Sequence, residues 1–176
     1  WMTDLLRTDQ IYLLPIAFIV LVTLLAITLR SFFGAILPVI NAVIAISWTL
    51  GLMALLGIPL TLLNYILPVL ILVIGATEDV HIFHEFRKQI KESGDGSEAI
   101  EKTGQNISIA LLLTATTTIL GFATTTLSEL PILRFFGLAA IIGMTARFLV
   151  SFFFLPACLR LLQNRIARNL PSEKSF

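Results

Sequence analysis

Ionisable side chains follow directly on a long apolar stretch in the middle of the chain. Residues 62–77 are predominantly apolar, Glu78 and Asp79 come next, and His81 and His84 follow. A charged side chain at bilayer depth costs about 2.5–3.5 kcal/mol on insertion scales, so carboxylates there are typical of proton or ion pathways. We therefore predict that Asp79, with Glu78 beside it, is a proton relay within the membrane. An interhelical ion pair that only holds the bundle together is the alternative interpretation.

The two histidines raise the question of a metal site. Glu78 and His81 have the spacing used by carboxylate-bridged di-metal bundles, but such sites need the motif twice, and the chain has two histidines in all. We therefore expect no metal and no other cofactor, and we expect His81 and His84 to lie near the cytoplasmic surface. The single cysteine, Cys158, excludes an intrachain disulfide.

A second apolar segment carries a row of small and hydroxyl-bearing residues. At about 100° per residue they fall on one face of a helix. Hydroxyls can satisfy a buried carboxylate, and small residues allow close contact between membrane helices. Two interpretations stay open: a polar lining that faces Asp79, or helix packing alone. The row consists of Thr114, Thr117, Thr118, Gly121, Thr124 and Thr125.

Arg147 is a further ionisable residue within an apolar segment. It shares a helix face with Gly143 and lies about 13–20 Å deep at 1.5 Å rise per residue, near the level of Asp79. Because an unpaired guanidinium is unfavourable there, we expect it to pair with Asp79 or Glu78, or else with carbonyls, lipid phosphate or a partner outside this sequence. Three glycines are predicted to allow close helix packing: Gly75, Gly121 and Gly143.

The amino-acid composition indicates a membrane protein. Of the 176 residues, 57% are hydrophobic and 13% are charged, which is typical of a polytopic helical membrane protein and excludes an ordinary soluble domain. A net charge of +1 gives no indication of nucleic acid binding. The chain begins at Trp1 without the basic start of a signal peptide, so we expect it to be part of a longer protein.

The fold class predicted from these segments is all-α, a membrane bundle with five spanning helices in a transmembrane domain at residues 11–158. Residues 1–10 would end an extracytoplasmic segment, and residues 159–176 would form a basic cytoplasmic tail. A cytoplasmic amphipathic loop is predicted at 87–106. It is long enough for a short amphipathic helix that is broken at Gly94-Asp95-Gly96, with Ser97 as the candidate cap of the next turn. The predicted spans are 11–29, 32–56, 61–86, 107–127 and 132–155.

Basic residues indicate the orientation of the bundle. With five spans, nine of the twelve Lys and Arg residues fall on one side and two on the other, and Arg147 lies within a span. Because Lys and Arg are enriched in cytoplasmic loops, we expect the N-terminus to be extracytoplasmic and the tail to be cytoplasmic.

Three short motifs follow one another along the chain: Gly75-x-x-x-Asp79, the run Thr114–Thr118 leading to Gly121-Phe122, and Leu155-Pro156 at the end of the last span. Taken in order, they resemble those of the resistance-nodulation-division (RND) superfamily. The likeness covers about residues 10–163 and is strongest to the bacterial lipid exporters and the related Patched and sterol-sensing-domain proteins. Many lipid exporters have Tyr after the Asp, where this chain has Val80, and Glu78 adds a second carboxylate.

The resemblance implies a proton-coupled exporter in the bacterial inner membrane. This chain would supply five helices of a six-helix half, and the same polypeptide would add porter domains and a second half. Asp79 would be the proton relay, and the substrate would be a lipid or another hydrophobic molecule; homo-oligomers are left open. A sterol-sensing-like module that binds lipid without transport is the alternative, and neither interpretation makes the chain an enzyme.

Overall fold

The computed structural model describes residues 15–16, 18–20, 22–27 and 32–168, with side chains described from Gly34 to Leu161 in the last range. These residues form helices and no strand. Four of the helices are long and apolar enough to cross a membrane, which confirms the predicted polytopic helical bundle. The helices are α1 (Phe32–Leu55), α2 (Leu67–Ser93), α3 (Gly96–Thr125) and α4 (Pro131–Arg168).

The predicted first span, residues 11–29, is described only in part. Its described positions between 15 and 27 are helical, and its other positions lie outside the described residues, as do residues 1–10 and 169–176.

A glycine in the left-handed conformation ends α1. Gly57 has φ +67°, and the Ile58 amide donates to the Met53 carbonyl at 2.9 Å. This is the Schellman arrangement, in which a hydrophobic contact between those two positions commonly accompanies the backbone bond. Ile58 does pack against the core that contains Met53. A 3₁₀ turn at Leu63–Ile66 then leads into α2.

Most of the segment 87–106, in which a short amphipathic helix is predicted, is helical and belongs to the ends of α2 and α3. Both helices continue into it, and only Gly94 and Asp95 separate them. Gly94 adopts φ +71° at the end of α2. The predicted cap at Ser97 is wrong, because Asp95 caps α3 and its side chain accepts from the Ser97 amide at 3.2 Å.

An apolar stripe explains why the polar segment 87–106 is largely helical. Phe86, Ile90 and Ala99 are buried in one core cluster together with Leu155 and Leu159 of α4. The stripe buries apolar area only if α2 and α3 extend beyond the predicted spans and α4 extends beyond Pro156. Accordingly α4 continues beyond the predicted span 132–155 and through Pro156 to Arg168.

The four helices differ in how far they are enclosed. α1 packs against α2 and α4, and α3 packs against the same two helices from the other side. In the apolar segment of α3 only 6% is buried, compared with 50% for α4. α2 and α4 therefore form the centre of the bundle, and most of the surface of α3 is free of contacts with the described residues.

Candidate functional site

Three helices place polar side chains at one point in the centre of the bundle. Asp79 comes from α2, Asn41 from α1, and Arg147 and Ser151 from α4, where they are one turn apart. All four are buried, with at most 2% of their surface exposed. We call these four residues the Asp79 cluster.

The carboxylate of Asp79 is bonded on both oxygens. Asn41 Nδ2 donates to Oδ1 at 2.9 Å and to Oδ2 at 3.0 Å. Ser151 Oγ donates to Oδ1 at 3.0 Å, and Arg147 Nη2 donates to Oδ2 at 2.5 Å. Asn41 Nδ2 also lies 3.0 Å from Ser151 Oγ. One cation and two neutral groups therefore hold the anionic form of Asp79.

Gly75, which lies one turn before Asp79 in α2, leaves space for the side chain of Arg147. A Cβ atom built on Gly75 would overlap the Arg147 guanidinium at Nε, Cζ and Nη2. Any larger residue at position 75 would therefore occupy the place of the guanidinium. Gly75 was predicted to allow close packing of a neighbouring helix. The nearest atoms to its Cβ position belong to the Arg147 side chain of α4.

The ion pair leaves polar atoms without partners. Arg147 Nε and Nη1 and Asn41 Oδ1 are buried and have no hydrogen-bond partner among the described residues. An unsatisfied buried donor or acceptor costs about 1–3 kcal/mol. The cluster is thus complete around the Asp79 carboxylate and incomplete around the Arg147 guanidinium.

Glu78 lies beside the cluster and takes no part in its hydrogen bonds. It is half-buried and close enough to interact electrostatically with Arg147 and Asp79. Among the described residues it is therefore the other carboxylate within range of the incompletely bonded guanidinium.

The threonine row does not line the Asp79 cluster. Thr114, Thr117 and Thr124 are exposed on α3, and Thr118 is half-buried. The hydroxyls of Thr114, Thr117 and Thr124 donate to backbone carbonyls three or four residues earlier in α3, as is usual where water is absent. Three members of the row, Thr114, Thr117 and Thr124, thus lie on the outer face of α3 and do not agree with the predicted polar lining that faces Asp79, whereas Thr125 is half-buried against Gly137 of α4.

Gly143 and Gly121, the other two glycines that were predicted to allow close helix packing, differ in their surroundings. A Cβ on Gly143 would come within 2.9 Å of Ile71 Cδ1 and 3.3 Å of Thr49 Cγ2, so α4 approaches α1 and α2 closely there. Gly121 is exposed, and a Cβ on it would meet no described atom within 4 Å. A further close approach lies at Gly137 of α4, where a Cβ would meet Thr125 and Thr126, so Thr125 of the predicted row packs against α4.

The histidines lie away from the cluster. His81 and His84 are both exposed on α2. Within the described part of the chain, no group of three or more His, Cys, Asp and Glu side chains has the arrangement of a metal site.

Asn41 and Ser151 are functional candidates that sequence reasoning missed. Asn41 is a polar residue in an apolar segment of the sequence, and the side chains of such residues commonly form hydrogen bonds to other membrane helices. Ser151 lies four residues after Arg147 and thus on the same helix face. These signals were present, but a single Asn or Ser in a membrane helix does not identify its partner.

Comparisons with known proteins agree with this architecture. A family model described as the sterol-sensing domain of SREBP cleavage-activation matches residues 17–173. A Methanocaldococcus jannaschii protein named as membrane protein MJ1562 is 28% identical over 156 residues, which is 89% of this chain and 40% of that protein. The chain thus spans about two fifths of the length of that relative. No solved structure matches it. Because the family model covers nearly the whole chain, this integral membrane protein belongs to the sterol-sensing domain family.

Proposed function

We propose that this chain is the transmembrane half of an RND-like, proton-coupled exporter of lipid or another hydrophobic substrate, with Asp79 as its proton relay. One observation carries the proposal: a carboxylate is fully buried where three helices meet and is bonded to a residue from each of the other two. Ionisable groups at such positions are typical of ion and proton pathways.

Protonation of Asp79 would break the ion pair. A neutral carboxyl group no longer balances the charge of Arg147, and the guanidinium already has two nitrogens without partners. Leaving a buried charge uncompensated costs several kcal/mol. The protonated state is therefore expected to favour a different arrangement of α1, α2 and α4, and loss of the proton would restore the one described.

Glu78 is the proposed second acceptor for the guanidinium. It lies next to Asp79 and within electrostatic range of Arg147. When Asp79 is neutral, Arg147 can shift its free donors towards Glu78 and remain paired. Thr114, Thr117 and Thr124 have no part in this step, since they lie on the outer face of α3.

The bundle would drive domains that are outside this chain. In an alternating-access transporter, a site near the middle of the membrane couples ion binding to the movement of one group of helices against another. We propose that the remaining half and the porter domains belong to the same polypeptide and handle the substrate. We also propose location in the bacterial inner membrane, with this chain performing no enzymatic reaction and binding no cofactor, metal or nucleic acid.

A lipid-binding module without transport is the second candidate. The description of the matching family as a sterol-sensing domain is compatible with it. The two candidates differ in what Asp79 does. In a binding module the Asp79–Arg147 pair is only structural, so lipid binding would be insensitive to the charge of Asp79.

Proton flux in proteoliposomes distinguishes the two candidates. The full-length protein is reconstituted with a pH-sensitive dye inside the vesicles, and a pH gradient is imposed. The proposal predicts that Asp79→Asn abolishes protein-dependent flux. Glu129→Gln, which changes an exposed carboxylate in the α3–α4 turn, should leave it unchanged.

Two outcomes would contradict the proposal. If the Asp79→Asn protein is purified in normal yield and still carries wild-type proton flux, Asp79 is not the relay. If neither wild-type nor variant carries flux and both bind lipid equally, the module without transport is supported.

A further inference from the structure

The side-chain amide of Asn41 directs all of its donors into the Asp79 cluster. Its nitrogen carries two hydrogens and lies within 3.0 Å of three acceptors, which are both carboxylate oxygens of Asp79 and Oγ of Ser151. Its oxygen, Oδ1, is buried and has no hydrogen-bond partner among the described residues. The amide therefore has one saturated end, which faces the carboxylate, and one unsatisfied end.

This orientation of the Asn41 amide fits the anionic form of Asp79. A carboxylate has acceptors alone, so the amino end of the amide must face it, whereas a protonated carboxyl group also has an O–H donor. Arg147 cannot accept that O–H, because a guanidinium has donors only. The acceptors beside a protonated Asp79 would be Ser151 Oγ and, after the amide turns by about 180°, Asn41 Oδ1.

Turning the amide would also improve the surroundings of its other end. In the orientation described, Oδ1 lies where no donor reaches it, and an unsatisfied buried acceptor is unfavourable. The backbone N–H groups inside a helix are used by its own hydrogen bonds, but each carbonyl oxygen keeps a second lone pair. The amino group is therefore easier to satisfy at that place than the oxygen. The two ends of the amide are similar in size, so the turn requires no change in packing.

We propose that Asn41 is a hydrogen-bond switch that couples α1 to the protonation state of Asp79 by turning its side-chain amide. When Asp79 is anionic, Nδ2 donates to the carboxylate. When Asp79 is protonated, Oδ1 accepts from its O–H and Nδ2 turns towards the backbone of α1. The inference rests on the proposed function, because it concerns the same carboxylate, and it adds a positioning residue on α1.

The charged groups around this switch come from α2 and α4. Asp79 and Arg147 form the buried ion pair, and Glu78 lies within electrostatic range of both. The sequence of α1 contains no ionisable residue. α1 therefore responds to a change of charge on Asp79 through the hydrogen bonds of Asn41.

Two nearly isosteric substitutions in α1 separate this role from packing. Asn41→Leu keeps the branched shape of the side chain and removes both the donor and the acceptor. Thr49→Val is the matched control, because Thr49 is also buried in α1 and donates its hydroxyl to the Ala45 carbonyl at 2.6 Å, outside the Asp79 cluster. Both variants lose a buried polar group from the same helix, but only Asn41→Leu loses the contact with Asp79.

Infrared difference spectroscopy of the full-length protein in lipid is the first test, with an isotope label in the side-chain carbonyl of asparagine. Acidification should shift the Asn41 carbonyl band to lower wavenumber, because Oδ1 gains the O–H of Asp79 as a donor. The band is assigned by its absence in Asn41→Leu, or in Asn41→Ser if the Leu variant is not purified. An Asn41 band that stays unchanged while Asp79 becomes protonated would overturn the switch and leave the proposed function standing. Absence of Asp79 protonation would contradict both.

Proton flux in proteoliposomes tests whether transport depends on the switch. Asn41→Leu should reduce flux about tenfold or more, the factor that one hydrogen bond to a charged group contributes to an equilibrium constant, although Asp79 is still protonated on acidification. Thr49→Val should keep wild-type flux. Wild-type flux in Asn41→Leu, or an equal loss in both variants, would overturn the switch, the latter result indicating that these polar groups serve packing. Loss of flux in Asp79→Asn alone would still support the proposed function.

Discussion

Asp79 and Arg147 form an ion pair in which each charge depends on the other. Both side chains are almost fully buried, and the Asp79 oxygens have three hydrogen-bonding side chains around them. For buried pairs of this kind, removing one partner costs about 3–5 kcal/mol, whereas replacing both with apolar residues is often neutral. Structural and functional roles of the pair can therefore be separated experimentally.

We expect Arg147→Met to lower the free energy of unfolding by about 3–5 kcal/mol, because it leaves the Asp79 carboxylate buried without a cation. The double variant Arg147→Met with Asp79→Leu should recover most of this loss, because it removes both charged members of the Asp79 cluster together. Thermal unfolding of the purified full-length proteins in one detergent measures the difference. A double variant as unstable as the single one would show that the ion pair does not account for the loss.

Gly75→Ala should destabilise the protein by about 1–3 kcal/mol, since its methyl group would force the Arg147 guanidinium to move. Gly121→Ala is the matched control on the outer face of α3, and a helical Gly→Ala change with open space gains up to about 1 kcal/mol. Thermal unfolding of the two variants in parallel measures both effects. If both changes stabilise the protein equally, the guanidinium is not held against Gly75.

Asp79 and Arg147 were predictable from the sequence because charged residues in apolar segments are rare and need partners. Asn41 and Ser151 were not, because an amide or hydroxyl is tolerated in a membrane helix with many different partners. The threonine row was predicted on the correct common face of its helix. Which side of that helix meets the rest of the bundle depends on the neighbouring helices, and the periodicity of one segment does not contain that information.

At the scale of elements, a two-residue connection sets how α2 and α3 lie against each other. Gly94 ends α2 in the left-handed conformation, and Asp95 begins α3 by accepting a hydrogen bond from the Ser97 amide. The sequence marked the break correctly at these residues. It did not show that both helices continue to it, because the polar composition of 87–106 hides the apolar stripe of Phe86, Ile90 and Ala99 that packs on α4.

Loss of this cap should weaken the start of α3. We expect Asp95→Ala to destabilise the protein by about 1 kcal/mol, because the amides in the first turn of α3 lose their side-chain acceptor. Asp95→Asn should be close to wild type, since the Asn side chain also caps. Hydrogen exchange of the amides at the start of α3, followed by mass spectrometry, measures the effect. Equal protection in all three proteins would mean that the Asp95 cap contributes nothing.

At the scale of the whole molecule, the bundle is organised around α2 and α4 and leaves α3 largely uncovered. The chain spans 40% of the Methanocaldococcus jannaschii relative, and the proposed function places further helices and porter domains in the same polypeptide. The outer face of α3, which carries Thr114, Thr117, Gly121 and Thr124, is exposed among the described residues. The basic residues predict how the bundle is oriented in its membrane.

Labelling of intact cells checks that orientation. Ser97→Cys at the α2–α3 junction and Glu129→Cys at the α3–α4 turn are both exposed positions at opposite ends of the bundle. In a Cys158→Ala background, an impermeant thiol reagent added outside should label Glu129→Cys and label Ser97→Cys only after the cells are opened. The reverse pattern would contradict the orientation predicted from the excess of basic residues on one side.

The central claim is that Asp79 takes up and releases a proton inside the membrane, and infrared difference spectroscopy of the full-length protein in lipid observes this directly. Acidification should produce a carboxylic acid band that reports a protonated side chain shielded from water. The account predicts that this band is present in the wild type and in Glu129→Gln and absent in Asp79→Asn. A band that persists unchanged in Asp79→Asn, or a wild-type protein with no such band, would contradict it.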